Sequence, residues 1–194
     1  RLDEAAAIAR TATERIRVGL PSDEASVLGP VANRSQFEKV QRLIEAGIAE
    51  GARVAIGGTG RPEELPRGFF VRPTVFVDVQ PQMSIAREEI FGPVLSILPY
   101  ENEDDAVRIA NESSYGLAGA VFSASHERSM AVARRVRTGS MSVDGGLTYR
   151  IVFVQPLKTG RGYSLLIDAE TKDTFADERG HHRREIGRLG PQRG

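Results

Sequence analysis
Apolar positions along this chain change period in a regular order. From Leu2 to Val18, Ala and Ile recur at helical spacing and Pro21 follows, which predicts a first helix. Ser35 with Glu38 three residues on reads as a capping box. It opens a helix whose apolar face is Val40, Leu43, Ile44 and Ile48, ending near Gly51. Ala52–Ile56 is a short strand stopped by Gly57 and Gly58. Residues 61–67 form a Pro-rich, charged loop, and 69–71 and 74–79 are strand segments broken at Pro73.

Beyond residue 93 the order settles the fold class. Strand 94–99, helix 103–111 (Ala106, Ile109 and Ala110 inward), strand 118–122, helix 126–136 and strand 139–143 make β-α-β-α-β. Single helices between near-continuous apolar strands imply an α/β fold: a mostly parallel sheet with helices on both faces.

Composition narrows the partners more than the fold. With 194 residues, 40% hydrophobic, the chain is long enough for a real core. Net charge is zero, so there is no basic footprint for nucleic acid, and no apolar run is long enough to span a membrane. No signal peptide opens the chain, which makes the cytoplasm the default. Residues 147–194 hold 9 Lys or Arg against 6 Asp or Glu, whereas the first 146 hold 17 against 20. The basic, glycine-containing end from Glu178 is a poor core former and is expected to be disordered or loosely attached.

One stretch concentrates chemistry: Arg87-Glu88-Glu89-Ile90-Phe91-Gly92-Pro93-Val94. Gly92 permits backbone angles closed to other residues, Pro93 fixes the exit, and the strand behind anchors the loop. Two readings stand on these residues: a loop that holds a ligand with hydroxyls and a flat ring, or an acidic helix end and turn with Phe91 in the core. Taken alone, the residues favour the second. His126 opens a helix, with no carboxylate or second histidine at metal-ligand spacing, and His181-His182 lies in the charged tail; no metal site is expected. Asn33-Arg34-Ser35 and Asn111-Glu112-Ser113 fit the glycosylation pattern but serve helix ends without a secretory signal. No glycine-rich phosphate loop stands at a strand-to-helix junction.

The ordered set REEIFGPVLSILPY (87–100), ENEDDAVRIANESSYGLAGAVFS (101–123) and HERSMAVARRVRTGSMSVDGG (126–146) resembles the aldehyde dehydrogenase superfamily. Leu28–Val31 and the helix QFEKVQRLIEAGIAEG extend the likeness backward, so it covers about residues 1–146. That span is expected to be part of a catalytic domain, and 147–194 a diverged, partly disordered tail. The resemblance implies oxidation of an aldehyde to a carboxylic acid with NAD or NADP through a cysteine thioester. It makes Glu89 the contact to the nicotinamide-side ribose and Phe91 the neighbour of the nicotinamide, with Glu88 structural. It implies an aldehyde and a dinucleotide as partners, with neither nucleic acid nor membrane, and a homo-oligomer in the cytoplasm.

Departures from the family pattern limit that implication. The chain has no Cys, and by resemblance the nucleophile, the general base and the nucleotide-binding domain precede Arg1. No catalytic residue is therefore expected in this chain, and alone it is expected to be inactive. Asp144 stands where the family usually has asparagine. It either alters the active-site wall or caps a turn before Gly145 and Gly146; both readings stay open. Lys158, Gly160 and Gly162 only echo the family's entrance loop, through divergence or a shifted reading frame. The alternative function is a non-catalytic remnant that acts as an interaction module through exposed sheet edges.

Overall fold
The structure, a computed structural model, describes residues 2–145, 147–153 and 165–170. The chain divides into two compact units, one ending at Ser114 and the other beginning at Tyr115. The first holds α1 (Leu2–Glu14), α2 (Arg34–Ala49), β1 (Arg53–Ile56), β2 (Thr74–Val77), α3 (Ser84–Arg87), β3 (Val94–Ser96) and α4 (Glu103–Glu112). Its sheet runs β1-β2-β3, with β1 antiparallel and β3 parallel to β2.

β2 is buried at every position because helices cover both its faces. Side chains alternate across a strand. Val75 and Val77 pack with Ala6 of α1 and with Ala55, while Phe76 joins Val40, Leu43 and Ile44 of α2 and Ile85 of α3. Phe76 is fully buried, which stabilises the unit by about 1.5–3 kcal/mol relative to exposure. The outer edge of β1 is closed. Its register shifts between Val54 and Ile56, and Arg10 donates to Ala55 O at 3.0 and 2.5 Å. Such devices keep an edge strand from pairing with another chain.

The second unit holds β4 (Ala118–Val121), α5 (His126–Ala133), β5 (Ser140–Val143), β6 (Leu147–Phe153) and β7 (Leu165–Glu170) in sheet order β4-β5-β6-β7. β4 and β5 are parallel and the other pairs antiparallel. Met141 and Val143 pack on Ala133 of α5, flanked by Val121, Met130 and Val136.

The α/β class expected from the sequence holds, with mixed rather than mostly parallel pairing. The reason lies in the connections. A parallel pair needs a crossover, which α3 and α5 provide, whereas β1 returns to β2 through a helix-free loop and β5 leads into β6 through the turn at Asp144 and Gly145. Two strands lie inside the segment expected to be a diverged tail. The expectations for Lys158, Gly160, Gly162, His181, His182 and the basic end fall outside the described residues.

Local differences have local causes. Asn33, not Ser35, caps α2: its side chain accepts from Gln36 N at 2.9 Å on an extended backbone, a role Asn fills as well as Ser. Glu38 accordingly lies 3.9 Å from Arg34 as an i,i+4 pair instead of closing a capping box. Gly47 takes the buried place expected for Ile48, because a Cβ at 47 would come within 2.8 Å of the Ile85 side chain. α1 stops at Glu14, short of Val18, which instead bridges to Leu28. Residues 69–71 form no strand: Phe69 lies in a bend, and its carbonyl accepts from Val31 N at 3.0 Å. In α4 the buried residue is Val107, while Ala110 is exposed.

Candidate functional site
The acidic-aromatic loop is set by one turn of helix. α3 is only four residues long and is held at its start by Glu50, the residue that ends α2. The Glu50 carboxylate accepts from Ser84 N at 2.7 Å and Ser84 Oγ at 2.5 Å, where an α-helix start has unsatisfied donors. α3 ends as Glu88 N donates to Ser84 O at 2.9 Å. From there Glu88 and Glu89 are exposed, Ile90 drops into the core, and Phe91 turns out again with 70% of its surface exposed.

Two side chains from the start of α2 tie this loop down. Gln36 Nε2 donates to Ile90 O at 2.9 Å and to Phe91 O at 2.8 Å. Lys39 Nζ donates to Glu89 O at 2.6 Å and lies 5.4 Å from the Phe91 ring centroid, within cation–π range. Three successive carbonyls are thus held by one helix face. Neither Gln36 nor Lys39 was singled out from the sequence. The signal was an i,i+3 pair of long polar donors beside the apolar Val40, which many solvent-facing helix turns share.

The backbone strain sits one residue earlier than expected. Phe91, not Gly92, has φ +53. Gly92 is needed for space instead, since a Cβ there would lie 2.7 Å from Cγ2 of the fully buried Val40. A bulky residue in the left-handed region costs roughly 1–2 kcal/mol and persists only where its surroundings fix it. Phe91 does not serve the core. The Glu89 carboxylate has no hydrogen-bond or ion-pair partner among the described residues, so its acceptors face outward. Glu88, expected to pair with a base or a helix end, contributes its main chain to close α3, and its side chain is exposed without a partner among them.

In the second unit Asp144 has φ +51 and closes the corner where β4 and β5 end and α5 begins. Its Oδ1 accepts from Ser123 N at 2.9 Å and Ser129 Oγ at 2.7 Å, and its Oδ2 lies 3.1 Å from His126 Nδ1. The Ser129 hydroxyl first, then the Ser123 amide and His126, hold this carboxyl below the usual carboxylate range. The turn-capping reading of Asp144 thereby gains a full set of donors. His126, read from the sequence as lacking a carboxylate at useful spacing, acquires one from 18 residues away.

Among the described residues no group of three or more His, Asp or Glu could hold a metal ion. A cleft of about 660 Å³ in the first unit, between the end of α1 and residues 56–73, shares no residue with the Glu89–Phe91 loop. Its charged lining, Glu14, Arg17, Asp23, Glu64 and Arg72, mixes both signs, and Arg17 is already paired with Asp23 at 2.8 Å.

The exposed carboxylate and ring of the Glu89–Phe91 loop thus stand on an α/β scaffold. The sequence model of the aldehyde dehydrogenase family matches residues 1–172, past the Gly146 limit read from the motifs, and the chain belongs to that family. It is 49% identical over 145 residues to 3-succinoylsemialdehyde-pyridine dehydrogenase of a Pseudomonas species, covering 75% of this chain and 30% of that protein. It also matches the structure of a mutant aldehyde dehydrogenase C from Pseudomonas syringae complexed with NAD+ and octanal. That match has a TM-score of 0.73 and 47% identity, over 74% of this chain and 30% of the other. The Mycobacterium tuberculosis aldehyde dehydrogenase complexed with NAD+ gives 0.72 and 46%, over 74% and 30%. The chain therefore spans about 30% of the length of these relatives.

Proposed function
We propose that this chain supplies one wall of the nicotinamide end of an NAD or NADP site in an enzyme that oxidises aldehydes to carboxylic acids. In this reading the Glu89 carboxylate accepts hydrogen bonds from ribose hydroxyls, and the Phe91 ring limits where the nicotinamide can swing. Gln36 and Lys39 act as positioning residues by fixing the loop's main chain. The dinucleotide, when bound, supplies a hydride acceptor. One observation carries the proposal: an outward, unpartnered carboxylate and a 70% exposed phenyl ring stand two residues apart on a loop whose carbonyls are tied down.

The chain has no cysteine, so a thiolate nucleophile has to come from other polypeptide. Purified chain given aldehyde and cofactor is expected to form no reduced nicotinamide. A cytoplasmic homo-oligomer is the proposed setting of the whole enzyme; no described helix is long and apolar enough to cross a membrane. The alternative, an interaction module that pairs through sheet edges, is opposed at β1, where the bulge and Arg10 close the edge.

The test is a chimera in which the matching segment of 3-succinoylsemialdehyde-pyridine dehydrogenase is replaced by this chain's own. Aldehyde oxidation should survive the exchange. Glu89→Gln in the chimera should raise the cofactor KM or lower kcat by roughly ten- to a hundredfold, since hydrogen bonds to a charged group contribute about 1.5–3 kcal/mol. A folded, active chimera whose kinetics ignore both Glu89→Gln and Phe91→Ala would sink the assignment.

A further inference from the structure
The Asp144 corner carries a second, unrelated chemistry. Asp144-Gly145 is the one Asp-Gly or Asn-Gly step in the 194-residue sequence, and it lies in the exposed turn after β5 with φ +51 and +77. An amide nitrogen on glycine is unshielded by a Cβ, so it can attack the preceding aspartate side chain. The Gly145 N–Asp144 Cγ bond forms, a Cγ–O bond breaks, and one water leaves a five-membered succinimide. Water then adds back at either ring carbonyl. One direction restores aspartate; the other gives isoaspartate, in which the main chain runs through the side-chain carbon. No oxidant, reductant or group donor other than water takes part.

The fold restrains each requirement of that reaction. The carboxyl must swing onto the Gly145 nitrogen and lose an oxygen as water, yet both oxygens are engaged, one by Ser123 N and Ser129 Oγ and the other by His126. Ser129 is 1% exposed and cannot be displaced without opening the corner. The Asp144 main chain is pinned too, donating to Val121 O at 2.9 Å. We propose that Asp144-Gly145 is an isoaspartate-forming modification site, held closed by Ser123, His126 and Ser129 and exposed to a repair methyltransferase when that corner opens. Isoaspartate there adds a methylene to the backbone just before β6, which would break the Val143–Leu147 register.

The test incubates the intact chain at mildly acidic pH and counts isoaspartate by methyl transfer from S-adenosylmethionine with an isoaspartyl methyltransferase. Peptide mapping locates the modified residue, and Asp144→Glu supplies the background. Urea-unfolded wild type should accumulate isoaspartate at residue 144 severalfold faster than folded wild type. Ser129→Ala and His126→Ala should fall between them. Should Ser129→Ala fail to fold, His126→Ala decides, because the His126 side chain is 60% exposed and its loss leaves the core intact. Equal rates in folded and unfolded wild type, a folded His126→Ala that matches wild type, or isoaspartate confined to other residues would each overturn the proposal.

Discussion
Gln36→Met is the most direct test of the tethered loop. Methionine keeps the length and flexibility of glutamine but removes the donor that serves Ile90 O and Phe91 O. Each hydrogen bond has a net contribution of about 0.5–1.5 kcal/mol, and the exposed Phe91 carbonyl can rebond to water. The expected cost is therefore about 1–2 kcal/mol, or a Tm lower by roughly 2–8 °C for a chain of this size. Global stability alone would not identify the loop. Gln41 is the control, because its side chain accepts from Gly60 N and donates to Gly60 O at 3.4 Å, a comparable pair of bonds on the same helix. Hydrogen exchange should show faster exchange at residues 88–92 in Gln36→Met, with protection there unchanged in Gln41→Met. Equal protection of 88–92 in wild type and Gln36→Met would refute the claim that this side chain holds the loop.

Three further outcomes follow from the geometry. Gly92→Ala should cost about 1–3 kcal/mol, the usual range for overpacking, and Val40→Ala should recover part of it in a double-mutant cycle by urea denaturation. Phe91→Gly should leave Tm unchanged or slightly raised, because relief of about 1–2 kcal/mol of left-handed strain outweighs a cation–π contact of about 0.5–1 kcal/mol. A clear loss of Tm would show that the exposed ring serves the fold after all. Asp144 has a folded pKa below its unfolded value, so its contribution is present above the ordinary aspartate pKa of about 3.9 and is lost as pH falls through the folded pKa. Acid unfolding followed by circular dichroism should be less steep below about pH 4 in Asp144→Asn than in wild type.

The sequence carried the elements and their order well, because the apolar run at β2, the alternate residues Met141 and Val143 of β5 and the face Val40, Leu43, Ile44 are buried as their spacing demands. Pairing direction was less legible. It depends on what fills the connections: the parallel reading came from the helices beyond residue 93, whereas the helix-free residues 57–73 return β2 antiparallel to β1. The site was half visible. Glu89 and Phe91 could be named from a motif, whereas Gln36 and Lys39 act across more than 50 and about 50 residues of chain respectively, a separation that local pattern cannot span. Even the role of Gly92 was misread, since a glycine required by a neighbour's methyl groups looks the same in sequence as one required by its own φ.

The carboxylates separate by what surrounds them. Glu50, Asp105 and Asp144 each sit where main-chain or side-chain donors converge, at a helix start or a tight corner, and each stabilises the fold locally. Glu89 has the opposite setting: its own carbonyl is bound by Lys39 while its side chain is left open. The neighbouring Phe91 is strained and exposed where a smaller residue would cost less. Two residues that individually contribute little to stability are held in a fixed place by Gln36, Lys39 and the close approach at Gly92. Rigid support for side chains the fold does not use is what a binding wall requires, because the entropy of ordering it is met before the ligand arrives.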